Sequence, residues 1–286
     1  MVNTNKSGTY ITRFAPSPTG LLHKGHAYSA LLAYKAAQRN DGNFLLRIED
    51  IDTTRCKPEF IATIYEDLAW LGLTWEQPVR FQSQHFPDFQ ATLSKLLSGG
   101  LAYPCFCTRK DILAEIAASK SAPHGPEGPI YPGTCKKLSE AVRQEKIRSG
   151  LPHAWRLDLN AALAQISSPL IWHDEIAGEM LATPEILGDI VLARKDTPTS
   201  YHLSVVTDDA LQGITHIVRG KDLFHTTHIH VVLQRILGLP TPIYHHHKLL
   251  VDDAGVRFAK RNKSVTLQSL REQGTEMAAL LQSLEI

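Results

Sequence analysis

One stretch of the sequence indicates the fold most clearly: Arg13-Phe14-Ala15-Pro16-Ser17-Pro18-Thr19-Gly20-Leu21-Leu22-His23-Lys24-Gly25-His26. Residues 10–14 predict a short strand, and the prolines and the glycine that follow end it. Residues 26–40 are rich in Ala, Leu and Tyr and predict a helix that ends at Asn40-Asp41-Gly42. A second apolar strand follows at 44–48. Strand, loop, helix and strand in this order predict a parallel βαβ unit with a right-handed crossover.

The loop of this unit has the features of an anion site. A helix that begins at the carboxyl end of a strand offers backbone N–H groups and the positive end of its dipole. His23 and His26 are three residues apart and can both face one anion, while Gly25 allows close approach to the backbone. Two other interpretations remain open: a proline-rich turn with two surface histidines, and a zinc pair, although the run contains no Cys or carboxylate.

Composition excludes several classes of protein. The chain has 286 residues, 43% of them hydrophobic, and a net charge of +1, which fits one large domain or a domain with a smaller insert. No apolar run is long enough to cross a bilayer and residues 1–10 are polar, so we expect no membrane contact and a cytoplasmic location. The near-neutral charge does not support a purely structural RNA-binding module.

The order of the motifs resembles that of class I aminoacyl-tRNA synthetases, specifically their glutamyl branch. The opening stretch matches the family's first block, which ends in H-x-G-H, and residues 46–52 resemble the second block. Residues 201–209 and 216–220 match further blocks in the right order, so the resemblance covers roughly residues 10–264. It implies an α/β fold: a Rossmann-like catalytic domain with a parallel sheet, a small zinc-binding insert and a helical C-terminal piece.

The resemblance also implies a domain organisation. Residues 8–104 would form the first half of the catalytic domain and residues 105–136 the zinc-binding insert. Residues 137–248 would complete the catalytic domain, with an insertion on the acceptor side. Residues 249–286 would contain a nucleotide loop and a C-terminal helix from about Leu267, with no anticodon-binding domain.

A pocket for L-glutamate is implied by the same resemblance. The residues that would line it are Arg13, Phe14, Ala15, Pro16, Ser17, Glu49, Tyr201 and Arg219. Glu49 would receive the ammonium group, and Arg219, together with Arg13, would receive the side-chain carboxylate, because a forked guanidinium matches a carboxylate. Outside this family setting, Glu49 and Arg219 are typical of a surface ion pair.

Two motifs would bind ATP together with Mg²⁺. His23, Gly25 and His26 form the first, and Arg257 and Lys260 belong to the second, the basic loop at 256–264. The resemblance implies that His23, His26 and Lys260 are catalytic and stabilise charge on the leaving pyrophosphate.

The basic loop departs from the family pattern at two positions. Arg257 replaces the first lysine of the family's motif and Ala259 replaces its serine. A synthetase-like tRNA-binding protein without ATP chemistry is therefore an alternative, and a solvated basic loop is another.

Three cysteines border an insert that is rich in Pro and Gly. Cys105, Cys107 and Cys135 could hold structural zinc, which would stabilise a segment too poor in apolar residues to fold alone. The fourth ligand could be His124, the generic choice; the resemblance favours Tyr131, through the pattern Cys-x-Cys…Tyr-x-x-x-Cys. Three reduced thiols without metal are the alternative.

The length of the chain separates two kinds of family member. Full-length enzymes of the glutamyl branch continue into a helical region that reads the anticodon, whereas this chain ends about twenty residues after the basic loop. Short members transfer glutamate to the queuosine base at the wobble position of tRNA(Asp), and the resemblance implies this partner and a monomer. A minimal enzyme that charges tRNA(Glu) is the alternative.

Two features lie outside these motifs. Cys56 stands alone and is predicted to be a structural or idle thiol. The three consecutive histidines at 245–247 are predicted to lie at the surface near the nucleotide loop.

Overall fold

The structure is a computed structural model that describes residues 9–118, 124–126, 128–251 and 265–284. Its strands are β1 Ile11–Phe14, β2 Asn43–Ile48, β3 Glu76–Phe81, β4 Ala102–Cys105, β5 His124–Gly125, β6 Gly128–Pro129, β7 Ala154–Leu157, β8 Ile171–Asp174, β9 Gly178–Leu181, β10 Val191–Ala193, β11 His216–Gly220 and β12 Ile243–His247. Its helices are α1 Lys24–Arg39, α2 Pro58–Trp70, α3 Phe86–Ser98, α4 Arg109–Ala118, α5 Glu140–Arg148, α6 Leu159–Ala164, α7 Tyr201–Leu211, α8 Thr226–Leu237, α9 Leu267–Glu272 and α10 Met277–Ser283. Within these ranges, no helix has both the length and the apolar character that a bilayer span requires.

The βαβ unit predicted from the opening stretch is confirmed. Strands β1 and β2 pair in parallel, with Ile11 opposite Asn43 and Phe14 opposite Leu46, and α1 connects them. Strand β3 then pairs in parallel with β2. The unit is held by its apolar face, because Ala27 and Leu31 of α1 are buried in the same cluster as Leu46 and Ile48 of β2.

A second parallel pair lies on the other side of β1. The N–H of Thr215 donates to the carbonyl of Ile11 at 3.0 Å, which sets β11 beside β1. Strand β11 pairs in parallel with β12, β12 with β8, and β8 forms an antiparallel hairpin with β9. From β1 the chain continues to β2 on one side of the sheet, and from β11 it continues to β12 on the other side. The carboxyl ends of β1 and β11 therefore form the switch point where α/β sheets bind ligands.

A smaller antiparallel sheet carries the insert. Strand β7 pairs on one edge with β4 and on the other with β10. Its inner face joins a hydrophobic cluster that includes Leu157, Leu192, Leu203 and Ile229, so α7 and α8 pack against it. The first of the three cysteines predicted to bind zinc, Cys105, is the last residue of β4.

One prediction about the last third of the chain is wrong. The histidines at 245–247 do not form a surface cluster: they belong to β12, which lies between β11 and β8, and His246 and His247 are only 3% and 5% exposed. The C-terminal piece is helical and begins at Leu267 as predicted, but it consists of two helices, α9 and α10. Gly274 separates them with φ +74°, a conformation that glycine adopts without strain and that cannot continue a helix.

Candidate active site

A cavity of about 280 Å³ lies at the switch point. Every residue predicted to bind glutamate lines it: Arg13, Phe14, Ala15, Pro16, Ser17, Glu49, Tyr201 and Arg219. The parallel topology explains this convergence, because β1, β2 and β11 all end there and α7 begins there. His26 also lines the cavity, so the first nucleotide motif is adjacent to it.

Arg219 is held at this cavity by uncharged groups. Its Nε donates to Nε2 of His246 at 3.0 Å, its Nη2 to Oγ1 of Thr227 at 2.7 Å, and its Nη1 to the hydroxyl of Tyr201 at 3.4 Å. Burial and the nearby Arg219 lower the pKa of His246 to about 3, so the ring is neutral at physiological pH. Arg219 is only 5% exposed, and none of these three partners, the ones that the described residues provide, brings a negative charge to balance it. Such a guanidinium favours an anionic ligand.

Arg13, unlike Arg219, is paired with a carboxylate, that of Asp209. Its Nε and Nη2 contact the two carboxylate oxygens of Asp209 at 3.0 and 3.4 Å. Burial opposes ionisation of Asp209, but Arg13 and Arg47 together lower its pKa below the ordinary value. Arg13 therefore lines the cavity with its charge largely compensated, and Arg219 supplies more of the positive potential.

Arg47 connects this pair to Glu49. It is fully buried in β2 and donates to Asp209 at 2.8 Å, to Gln212 at 3.0 Å and to Glu49 at 3.0 Å. Burial raises the pKa of Glu49, while Arg47 and Arg13 act against that rise. The carboxylate of Glu49 is thereby fixed at the wall of the cavity, where it can accept a hydrogen bond from a cationic ligand.

The two histidines of the first motif cap α1. The Nδ1 of His23 accepts the N–H of Gly25 at 3.1 Å, and the Nδ1 of His26 accepts the N–H of His23 at 3.1 Å. Each neutral ring therefore carries its proton on Nε2. The ring centroids are 3.7 Å apart, so the two imidazoles stack at the start of α1, where the helix N-terminus suits a phosphate.

The second nucleotide motif, with Arg257, Ala259 and Lys260, lies outside the described residues. The described chain on both sides of it contacts the beginning of α1. Before the motif, the ring of His247 meets that of Tyr28 with a centroid distance of 5.1 Å. After it, Thr266 forms an isolated β-bridge with His23.

A larger cleft of about 700 Å³ adjoins the cavity. It shares Ser17, Glu49 and Tyr201 with the cavity, and it also carries basic and acidic groups: Asp52, Arg55, Arg194, Lys195 and Asp196. The Nζ of Lys195 donates to the carbonyl of Phe106, so the cleft reaches the insert. Cys56, predicted to be structural or idle, lines this cleft.

The cysteine cluster is assembled as a metal site requires. The Sγ atoms of Cys105, Cys107 and Cys135 lie within 4.8 Å of one another, and those of Cys107 and Cys135 are 3.5 Å apart. The hydroxyl of Tyr131 is 3.4 Å from Sγ of Cys105 and 3.6 Å from Sγ of Cys107. In tetrahedral zinc sites with Zn–S bonds of ~2.3 Å, the ligand atoms lie at distances from one another similar to those between these sulfur and oxygen atoms. The four donors fit zinc; the side chain of the alternative ligand, His124, lies outside the described residues.

Replacing Cys107 with Ala tests this donor set. We expect the purified protein to contain about one zinc per chain and the variant to contain almost none, because three donors hold structural zinc poorly. Elemental analysis by mass spectrometry measures the metal, and Cys56→Ala is the matched control that should keep it. Equal zinc content in Cys107→Ala and the parent protein would contradict the assignment.

Sequence reasoning missed four residues that organise the site. Arg47 stands in the apolar strand 44–48, and a charge in such a strand signals a buried partner, so its role could have been recognised. Asp209 lies in a quoted motif, yet its partners are far away in sequence. Asp174 and His246 are 72 positions apart and have no local signal that connects them.

The family model described as "tRNA synthetases class I (E and Q), catalytic domain" matches residues 10–286. The chain therefore belongs to this family, and it is a ligase. It is 48% identical over 278 residues to the glutamyl-Q tRNA(Asp) synthetase of Rhodobacter capsulatus, an alignment that covers 94% of this chain and 97% of that relative. A second relative with the same name, from Symbiobacterium thermophilum, is 41% identical over 273 residues, or 92% of this chain and 81% of the relative.

Glutamate tRNA ligases, which are longer than this chain, share its fold. A crystal structure of a glutamate tRNA ligase from Elizabethkingia meningosepticum, in complex with its amino acid, superposes with a TM-score of 0.80 at 25% identity. The superposition covers 98% of this chain and 61% of that ligase. The chain thus spans most of the glutamyl-Q relatives and less than two thirds of the ligase.

Proposed function

We propose that this enzyme activates L-glutamate with ATP as glutamyl-adenylate and transfers it to the queuosine base at the wobble position of tRNA(Asp). The observation that carries the proposal is the buried guanidinium of Arg219, whose side-chain partners in the described part of the chain are uncharged, in a cavity that also contains Glu49 and adjoins the histidine pair. The similarity to two glutamyl-Q tRNA(Asp) synthetases over most of their lengths supports the choice of acceptor.

The cavity has one complementary group for each end of glutamate. Arg219 would bind the side-chain carboxylate with the N–H groups that its protein partners leave available, and Glu49 would bind the ammonium group. The α-carboxylate would then face His26 and the start of α1, where ATP binds. Glutamine would be rejected, because its amide offers Arg219 no negative charge and its N–H₂ opposes another donor.

The reaction proceeds in two steps. The α-carboxylate attacks the α-phosphate of ATP, which forms glutamyl-adenylate and releases pyrophosphate. His23, His26 and Lys260, with Arg257, would stabilise the charge on the leaving group, and the Mg²⁺ that accompanies ATP would supply further positive charge there. A hydroxyl of the cyclopentene-diol of queuosine then attacks the acyl carbon, which forms an ester and releases AMP. Zinc would be structural and would take no part in either step.

The larger cleft is the proposed entrance for the modified nucleotide. Its volume of about 700 Å³ exceeds that of the glutamate cavity, and the shared residues bring its occupant to the activated carboxyl group. Arg55 and Arg194 share one carboxylate, that of Asp52, at 2.7 and 3.7 Å, so with Lys195 they would leave positive charge for the phosphates that flank the base.

A charge reversal in the larger cleft should distinguish glutamate activation from transfer to tRNA. In Arg194→Glu we expect transfer to tRNA to slow by roughly 10-fold or more, since an attraction for phosphate becomes a repulsion. Glutamate-dependent pyrophosphate exchange, measured without tRNA, should stay within about twofold of the parent rate. Arg148→Glu, on the exposed end of α5 and outside the cleft lining, is the matched control. Equal transfer rates in the two variants would place the tRNA elsewhere.

The proposal is tested with labelled glutamate, ATP and two samples of tRNA(Asp), one with queuosine and one without it. We expect label only on the sample with queuosine. Label on both samples, or on tRNA(Glu), would favour 3′-end charging instead. Label on neither, with no glutamate-dependent pyrophosphate exchange, would favour a binding protein without ATP chemistry.

A further inference from the structure

We infer that Asp174 and His246 are positioning residues that present Arg219 to the side-chain carboxylate of glutamate by fixing the tautomer of the His246 ring. This inference rests on the proposed function in one respect, namely that Arg219 binds that carboxylate. Neither residue was connected to the site by the sequence motifs.

Asp174 is a rigid acceptor at the end of β8. Its Oδ1 accepts the N–H groups of Ile176 and Ala177 at 3.0 and 2.8 Å, which fold the hairpin around it. Its Oδ2 accepts the backbone N–H of His246 at 3.1 Å and lies 2.7 Å from Nδ1 of the same residue. Both side chains are 1% exposed. Burial opposes ionisation of Asp174, but these hydrogen bonds lower its pKa below the ordinary value.

The ionised carboxylate determines where the proton of His246 resides. A carboxylate can only accept, so the neutral ring must carry its proton on Nδ1 and keep a lone pair on Nε2. This lone pair accepts the Nε–H of Arg219 at 3.0 Å. In the other tautomer, or in the protonated ring, an N–H of His246 would oppose the N–H of Arg219 and push the guanidinium away.

A neutral acceptor has a specific advantage at this position. Asp209 contacts Arg13 directly at 3.0 Å and thereby compensates its charge. At Arg219 the imidazole stands between the carboxylate of Asp174 and the guanidinium, so Arg219 is oriented by a strong acceptor without losing its charge to a direct ion pair. The positive charge of Arg219 therefore remains available for the ligand. An Asp or Glu at position 246 would form a direct ion pair with Arg219 and compensate that charge.

The kinetic test uses glutamate-dependent pyrophosphate exchange without tRNA. We expect Asp174→Asn and His246→Phe to raise the KM for glutamate by roughly 10- to 100-fold and to change the KM for ATP by less than about twofold. His246→Gln should restore much of the glutamate affinity, because its amide oxygen can accept the Nε–H of Arg219. His228→Phe is the matched control: His228 is also buried, but its Nδ1 accepts the N–H of Thr183 rather than a group of the site.

The tautomer itself is measured by two-bond ¹H–¹⁵N NMR on protein labelled at histidine. The signal that disappears in His246→Gln identifies His246, and we expect it to show the proton on Nδ1 in the parent protein and on Nε2 in Asp174→Asn. A proton on Nε2 in the parent protein would overturn the inference, as would an unchanged glutamate KM in His246→Phe. Because this spectrum needs no catalysis, absence of glutamate activation in the parent protein would refute the proposed function separately.

Discussion

Replacing Arg219 with Lys is expected to raise the KM for glutamate by roughly 100-fold or more in ATP–pyrophosphate exchange. Lysine keeps a positive charge, but its ammonium cannot contact His246, Thr227 and a bound carboxylate in one plane as the guanidinium does. The KM for ATP should change little, because the first nucleotide motif is on α1 and does not depend on these hydrogen bonds. Initial rates at varied glutamate and fixed ATP provide the measurement.

The control for this variant is Arg235→Lys. Arg235 lies on α8, and its exposed side chain reaches Ser168 at 3.1 Å, away from the cavity. It should leave both KM values unchanged. An Arg219→Lys enzyme with the parent KM for glutamate would show that the side-chain carboxylate binds elsewhere, and it would remove the physical basis for rejecting glutamine.

Replacing Arg47 with Met is expected to lower the free energy of unfolding by about 3–5 kcal/mol. Methionine fills much of the space, but the buried carboxylate of Asp209, the largely buried carboxylate of Glu49 and the half-buried amide of Gln212 lose their shared donor. The loss arises mainly from the buried negative charges that remain, not from the missing attraction. Urea denaturation followed by circular dichroism measures the change.

Arg55→Met is the matched control for the stability measurement. The side chain of Arg55 is 64% exposed and pairs with Asp52 at 2.7 Å, so its removal should cost about 1 kcal/mol or less. If the two variants lose similar stability, the buried network does not hold the floor of the cavity. The Arg47→Met protein should also bind glutamate poorly wherever it remains folded, because Glu49 loses its donor and Asp209, which holds Arg13, loses one of its donors.

The sequence was sufficient for the parts of the site that depend on local structure. The strand, loop and helix around His23 and His26 are adjacent in the chain, and the ends of parallel strands must meet at one edge, so the convergence of Arg13 and Arg219 follows from the topology. The approach of Cys105, Cys107 and Cys135 to one another could also be expected from the sequence, because their residue types at the borders of a loop-rich insert are typical of a metal site; zinc itself stays a prediction.

The remaining features depend on tertiary pairing. Strand β12 was missed because consecutive histidines give no apolar alternation, and only its place between β11 and β8 makes it a strand. Arg47 donates to Glu49, two residues away, and to Asp209 and Gln212, 162 and 165 residues away, so only one of these three partners is local. The same holds for His246 and Asp174, which meet only when β12 and β8 pair.

The position of the glutamyl group on the tRNA distinguishes transfer to queuosine from charging of the 3′ end. After reaction with queuosine-bearing tRNA(Asp), ATP and glutamate, the tRNA is digested to nucleosides under mildly acidic conditions that preserve esters, and the products are analysed by mass spectrometry. We expect queuosine that carries one glutamyl group and an unmodified 3′-terminal adenosine. Glutamate on the terminal adenosine, with queuosine unchanged, would contradict transfer to queuosine.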